Sequence, residues 1–517
     1  MKISKKTVRT QRSGSVLVLV PLALLCATVP GHANAATPSV LPAFQATVSQ
    51  APHTGVLAAE YFVAVDGNDA NSCTEARSPG MSKRSMHSAW GCMQPGDTMT
   101  VGDGTYSDAS PPSDFGGTNT AKIIVRARRD GGALLSGGVN LRGAHHIQFE
   151  GFDVTGGGSA VAAVSNGPGQ VTHHVTFRRT GFTCTWPGSR INDGACVSIS
   201  DGAHHMLFED FWVSGSGRYS VMAYGGPGGH PANVTADYNT FRRGVIRQGP
   251  TRSSGGNPQS GISLYYASHN TIENVIVLDS VPKSDSSNSA FYVTAHTPPP
   301  NASGNKFYGV VALNNFGTGF YLDADNGAKV NNTLISNSVF WGSPQDGISF
   351  YINGECNWTH VEHVTSGANG GNGLWNYCDQ TRVQSSLFVD NHGLGLSQGG
   401  SGSISPNFNN YFGNLRGSLN VDAGEHDIEG DPQLAYLLRL ESIGACKGAG
   451  KGGSDCGAVV VNRYQDGVLT TEPLWPWPNE DRIKASMCGG SNSTRGFCAK
   501  ESLTEYVWTY LGNSNPF

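Results

Sequence analysis

The segment Ala144-His145-His146-Ile147-Gln148-Phe149-Glu150 returns, nearly unchanged, as Ala203-His204-His205-Met206-Leu207-Phe208-Glu209. Thr172-His173-His174-Val175-Thr176-Phe177-Arg178-Arg179 is a close relative, echoed by Tyr238-Asn239-Thr240-Phe241-Arg242-Arg243 and His269-Asn270-Thr271-Ile272-Glu273-Asn274. A shorter version is Asn331-Asn332-Thr333-Leu334, and two more begin at Asn357 and Asp379. The central apolar residues are Phe149, Phe177, Phe208, Phe241, Ile272, Phe307, Leu334, Val361 and Val383. Their spacing runs from about 22 to about 35 residues, the range of solenoid repeats. Each repeat holds short alternating strands separated by Gly, Asn or Ser, without a helical period. One coil cannot bury its own apolar face, whereas stacked coils share a continuous core. The leucine spacing of leucine-rich repeats is absent, and the shorter repeats lack room for the four strands of a propeller blade. A parallel β-helix remains. The repeated histidines sit where the chain turns into a strand, the position later filled by Asn270 and Asn332, and read as turn residues satisfying backbone groups rather than as metal ligands.

The first coil points the same way. Tyr61-Phe62-Val63-Ala64-Val65-Asp66-Gly67-Asn68-Asp69, followed by Pro95-Gly96-Asp97-Thr98-Met99-Thr100-Val101-Gly102-Asp103-Gly104-Thr105-Tyr106, resembles the opening of pectate-lyase-like right-handed β-helix proteins. The resemblance covers roughly residues 59–414. It implies an all-β, single-stranded right-handed parallel β-helix with a short N-terminal capping helix, here over Ser82 to Met93, and an irregular C-terminal cap. It specifies the reaction poorly, because the scaffold carries lyases, hydrolases, epimerases and non-catalytic adhesins. The Asp-Asp and Gly-His-Gly elements of polygalacturonases are missing. Gly453 to Ala458 looks like the segment that closes such helices, and Trp475 and Trp477 are expected to be buried in the cap behind it. The expected organisation is a signal peptide over 1–35, a linker over 36–58, the β-helix over 59–430 and the closing segment and cap over 431–517.

A second repeated strand carries the functional reading. Its copies are Ser220 to Tyr224, Gly261 to Tyr265, Ala290 to His296, Gly319 to Asp325, Gly347 to Asn353 and Gly373 to Asp379. Residues two apart share a face of a strand. Val221/Ala223, Ile262/Leu264, Phe291/Val293, Phe320/Leu322 and Ile348/Phe350 then point inward. The outward set is Tyr224, Tyr265, Tyr292, Thr294, His296, Tyr321, Asp323, Asp325, Tyr351, Asn353, Trp375, Tyr377 and Asp379. Stacked about 4.8 Å apart, these residues make a stripe of aromatic rings and carboxylates. Tyr and Trp offer apolar faces with a polar rim, which suits sugar rings.

Within the stripe, His296 is placed to abstract the proton beside a uronate carboxyl, with Tyr292 or Tyr321 protonating the leaving oxygen. Asp323 and Asp325, with backbones about 6.6 Å apart by the strand rise, suit glycoside hydrolysis or a calcium ion that neutralises a uronate. Tyr224, Tyr265, Tyr351, Asn353, Trp375, Tyr377, Asp379 and the flanking Lys283 are the candidate substrate contacts. Elimination needs a cation for the developing enolate; Lys283, Arg252 and Lys329 flank the stripe, but none falls inside it. Polysaccharide lyases are prominent on the scaffold this chain resembles, and that resemblance tips the reading to a polysaccharide lyase acting by β-elimination on a uronate-containing glycan. A hydrolase using Asp323 and Asp325, and a non-catalytic carbohydrate-binding or structural protein, are the alternatives.

The remaining features set the compartment. Lys2, Lys5, Lys6, Arg9 and Arg12 precede an apolar run from Val16 to Val29 and an Ala33-Asn34-Ala35 site, the pattern of a secretory leader too short to span a bilayer stably. Later segments are too polar to span, so a secreted or periplasmic chain is expected. Apart from Cys26 in the leader, the cysteines fall into near neighbours: Cys73/Cys92, Cys184/Cys196, Cys356/Cys378, Cys446/Cys456 and Cys488/Cys498. In a secreted chain that pattern suggests local disulfides. Removing the leader takes the net charge from −5 to about −10. A sparsely charged acidic chain is unsuited to neutralising phosphates, which argues against nucleic acid and leaves an extracellular polysaccharide as the partner. A capped solenoid can stand as a monomer.

Overall fold

The computed structural model describes residues 58–512, apart from 166, 168, 185–193, 216–217, 227–233, 248–258, 281–287, 298–300, 316, 401, 441–442 and 491–492. The expected leader and nearly all of the expected linker therefore lie outside the described residues. No described helix is long and apolar enough to cross a membrane.

The coils bend at single left-handed residues. The second histidine of each pair takes that conformation: His146, His174 and His205 have φ of 52°, 53° and 53°. Tyr238, His269, Asn332, Trp358 and Gln380 do the same in later coils. A left-handed residue costs an L side chain about 1–2 kcal/mol, and Asn, Asp and His adopt it more readily than most. A second bend follows a few residues on, at Arg179, Asp210, Arg243, Asn274, Asn337, His363 and Ser385. Each coil thus supplies a strand before the second bend, a strand after it, and a third strand on another wall.

The strands pair in parallel from coil to coil. Among the described residues the first two walls join into a 22-stranded sheet, and the third wall is a separate ten-stranded sheet. The two-wall sheet is continuous because Leu207–Ser214, Thr240–Arg247 and Thr271–Leu278 run through the bend. This is the expected all-β parallel β-helix.

The repeat residues line the interior. Phe149, Phe177, Phe208 and Phe241 stack at 5.0, 5.3 and 5.3 Å. Ile272 and Phe307 continue the column. The next member is Ile335, not Leu334: Phe307 pairs with Ile335, while Leu334 pairs with Lys306 and is half-buried. The left-handed residue sets the register, and Asn332 occupies the place of His269, so the short Asn-Asn-Thr-Leu echo reads one residue early. Interior polar corners are satisfied by ladders of amides. Asn239 Nδ2 donates to Asn270 Oδ1 (3.1 Å), and Asn270 Nδ2 donates to Asn305 Oδ1 (3.3 Å).

The N-terminal helix is Met86–Trp90, shorter than expected, and begins where the Ser85 hydroxyl accepts from the Ser88 N–H. Its Trp90 packs on Phe149. All five neighbouring cysteine pairs form disulfides. The C-terminal segment differs from an irregular end-cap. It contains a hairpin, Asn462–Gln465 with Val468–Pro473, and helices Glu480–Met487 and Leu503–Trp508. It lies lengthwise along the second wall, whose outer side presents Trp212, Val245, Ile276, Val311 and Val339. That apolar surface explains the cover: Trp475, Trp477, Ile483, Phe497 and Trp508 bury it in a second core. The two cap tryptophans are 3% and 4% exposed, as expected of buried residues.

Candidate active site

The ten-stranded wall sets the site because its strands keep one register. Val221, Ile262, Phe291, Phe320 and Ile348 align across successive coils, as do Ala223, Leu264, Val293, Leu322 and Phe350. All are fully buried in the interior, as alternation predicts. Two columns of outward residues align across the coils. Tyr224, Tyr265, Thr294, Asp323 and Tyr351 form the first. Met222, Ser263, Tyr292, Tyr321, Ser349 and Trp375 form the second.

At the centre, Tyr292 Oη donates to Asp323 Oδ2 at 3.1 Å. His296 Nε2 lies 3.3 Å from the same oxygen. Its orientation is too oblique for a hydrogen bond, so this buried nitrogen has no hydrogen-bond partner among the described residues. The His296 ring leans onto Tyr265 (5.4 Å), which stacks on Tyr224 (5.5 Å). His296 therefore meets Asp323 rather than Asp325.

Burial raises the Asp323 carboxyl above its ordinary value, Asp325 adds to the rise, and His296 and the Tyr292 hydroxyl oppose it. The side chain is 13% exposed. Asp325 is held differently, accepting from Asn353 Nδ2 (2.9 Å) and the Asn326 N–H (2.8 Å). The two carboxylates thus occupy distinct environments. No third carboxylate or imidazole joins them in a metal-sized cluster among the described residues.

Two expected groove residues are not on the open face. Tyr292 and Thr294 are 1% and 0% exposed. Alternation fixes the side of the sheet on which they lie but not their depth, and the Tyr321 ring stacks over Tyr292 at 5.6 Å. Burial first, and Asp323 second, hold the Tyr292 hydroxyl well above the ordinary phenol range. It remains a hydrogen-bond donor to Asp323 and is out of reach of a substrate. Tyr321 is half-buried.

On the far side of Asp323, Tyr351, Trp375 and Tyr377 cluster, with Tyr351 6.3 Å from Trp375 and Trp375 edge-on to Tyr377 at 4.8 Å. Tyr377 and Asp379 line a cavity of about 370 Å³. Asp379 is exposed and accepts from the Gln380 N–H and the Ser403 hydroxyl.

The cations are rearranged. Lys329 pairs with Glu355 at 2.7 Å, and Lys283 and Arg252 lie outside the described residues. Arg218, absent from the sequence reading, lines a cavity of about 330 Å³ with Tyr219, Met222, Tyr224 and Tyr265. Extending the alternation of Met222 and Tyr224 back to 218 would have found it. Starting the strand at Ser220 hid it.

Solved structures resemble this chain. A pectate lyase, Pel9A, is 16% identical over 77% of this chain and 95% of its own, with a TM-score of 0.44. XylC in complex with xylose is 10% identical over 73% and 87%, with a TM-score of 0.49. The A-module of the Azotobacter vinelandii mannuronan C-5 epimerase AlgE6 is 12% identical over 65% and 92%, with a TM-score of 0.43. No family model and no curated protein matches the chain. The chemistry has to be read from this chain's own residues.

Proposed function

We propose that the protein is a carbohydrate-active enzyme that cleaves a uronate-containing polysaccharide by β-elimination. The observation that carries this reading is the half-buried His296 imidazole on the outward face, its Nε2 3.3 Å from a carboxylate to which the Tyr292 hydroxyl donates. A general base needs a free lone pair within reach of a substrate proton and a partner for the charge it gains. His296 takes the proton next to the uronate carboxyl, and the freed electron pair forms a carbon–carbon double bond. The glycosidic C–O bond breaks, and Tyr321 gives its proton to the leaving oxygen. Asp323 stabilises the imidazolium formed in the step, and Tyr292 positions Asp323. Arg218 supplies the positive charge for the sugar carboxylate. Tyr224 and Tyr265 on one side, and Tyr351, Trp375 and Tyr377 on the other, hold neighbouring sugars.

A second reading has its own support. Burial raises the Asp323 carboxyl, and Asp325, which accepts from two N–H donors, stands two residues on along the same strand face, so a pair of carboxylates is available for hydrolysis. A panel of polyuronates and neutral glycans separates the two. Elimination yields an unsaturated sugar with new ultraviolet absorbance, lost in His296→Ala. Reducing ends without that absorbance, retained in His296→Ala, would establish hydrolysis instead.

A further inference from the structure

Six histidines at the corner leading into the first wall stand in two columns. His145, His173 and His204 stack at 5.2 and 5.3 Å, and His146, His174 and His205 stack at 4.8 Å in both steps. Turn formation accounts for the second column, since its members carry the left-handed backbone. It does not account for the first, because later coils make the same turn at Asn332 and Gln380 without a preceding imidazole. Within each pair the two Nδ1 atoms face each other, at 3.2, 2.9 and 2.7 Å. Two such nitrogens at that distance share one proton between two lone pairs.

His146 is also oriented. Its Nε2 donates to Asn119 Oδ1 at 2.7 Å, which leaves Nδ1 as the lone-pair nitrogen. Metal-binding histidines are fixed in this way by the hydrogen bond of the other ring nitrogen. Ligand nitrogens of His146, His173 and His174 all lie within 4.8 Å of one another.

We propose that His146, His173 and His174 bind a divalent transition-metal ion, Cu²⁺ before Zn²⁺, as a staple between two consecutive coils. Imidazole suits both ions, and copper heads the affinity order for a nitrogen site. Metal–nitrogen bonds of about 2.0–2.1 Å put neighbouring ligand nitrogens about 2.9 Å apart in the tetragonal shell of copper(II) and about 3.3 Å apart in a tetrahedral zinc shell. The His173–His174 pair, at 2.9 Å, already stands near these spacings, and a ligand nitrogen of His146 lies within 4.8 Å of both. Whichever ring of the pair carries its proton on Nδ1 moves it to Nε2, so the ion enters without a change in protonation, and water completes the shell. Burial first and the neighbouring rings second push His173 and His174 down to about 4, which keeps both neutral at physiological pH.

The test uses the full chain without an affinity tag, stripped with chelator and titrated with CuCl₂ and then ZnCl₂ by calorimetry. One equivalent of copper should bind. His146→Asn and His174→Asn should each weaken it at least tenfold, whereas His269→Asn, in the same corner but outside the cluster, should not. Asn keeps the left-handed turn, as Asn332 does, and metal-free melting curves check that the variants fold. Nitrogen hyperfine structure from at least two imidazoles in the copper spectrum of the unaltered chain is expected independently of any variant. Failure to bind an equivalent, binding unchanged in both variants, or a spectrum with fewer than two nitrogen ligands would each overturn the proposal.

Discussion

Asp323→Asn isolates the interaction on which the elimination mechanism turns. The His296–Asp323 contact is 3.3 Å, at which opposite unit charges attract by about 5 kcal/mol with an effective dielectric of about 20. His296 keeps 33% of its side-chain surface, so solvent screening reduces the working value to roughly 2–3 kcal/mol. The attraction reaches full strength only once His296 carries the abstracted proton. It therefore stabilises the transition state more than the bound substrate and belongs to kcat. At about 1.36 kcal/mol per decade, kcat should fall roughly 30- to 150-fold with KM little changed. Stability should respond oppositely. Burial, the largest influence, raises the folded-state carboxyl above its ordinary 3.8. The stability linked to this group is then full below 3.8 and is lost as pH rises through the folded value. At pH 7 the charged Asp323 is a liability, so the Asn variant should melt no lower than the unaltered protein. The assay is the initial rate of unsaturated product from a polyuronate, beside a melting curve at the same pH. A raised KM at constant kcat, or a melting temperature that falls together with activity, would refute the reasoning.

Four further outcomes follow from the same geometry. Tyr292→Phe removes the hydroxyl that donates to Asp323, a bond to a charged acceptor worth about 1.5–3 kcal/mol, and should lower kcat tenfold or more while leaving KM unchanged in steady-state assays. Arg218→Gln should raise KM for a polyuronate about tenfold, since one charge-assisted contact is worth about 1.5–3 kcal/mol, with a smaller effect on a neutral glycan of similar length. Ile335→Ala should cost about 2–5 kcal/mol by denaturant unfolding, and Leu334→Ala well under half of that, because only Ile335 continues the interior column. Glu209, burial notwithstanding, is held below the ordinary carboxylate range by Arg243, Arg178 and Arg242. Its contribution is full above the unfolded value of 4.5 and is lost as pH falls through the folded one, so Glu209→Gln should destabilise by about 3–5 kcal/mol at pH 7, with the gap narrowing in acid melts.

The architecture was legible because its physics is periodic. A repeated polar turn followed by an apolar residue forces a stacked coil, and alternation then places Val221 through Phe350 inside without knowledge of any neighbour. Local cysteine pairing was visible for a similar reason, since near neighbours in a stack of coils are near in space. Position 334 failed where the echo shrank to four residues and the left-handed residue, which sets the phase, had to be guessed. The placement of the cap was hidden for a different reason. Its placement depends on an apolar outer surface on the second wall, whose strands pack on both sides. Val245, Ile276 and Val311 face the cap, and the sequence of a doubly buried strand gives no alternation from which that face could be inferred.

The site sits between these cases. Strand parity assigned Tyr292, His296 and Asp323 to one side of the sheet, which is the part of the problem that period-two geometry decides. It could not decide how far each side chain reaches, because that depends on the rings stacked above and below it. Tyr321 covers Tyr292 and turns an expected proton donor into a support for Asp323. Tyr265 draws His296 back by stacking, so the imidazole meets the carboxylate in the neighbouring column rather than the one along its own strand position. The rings that read as sugar platforms thus have a second function, setting the angle between base and carboxylate. Shortening Tyr265 should therefore disturb His296 as much as it disturbs binding, and a Tyr265→Ala variant that lost affinity alone, with kcat intact, would show that the stack is only a platform.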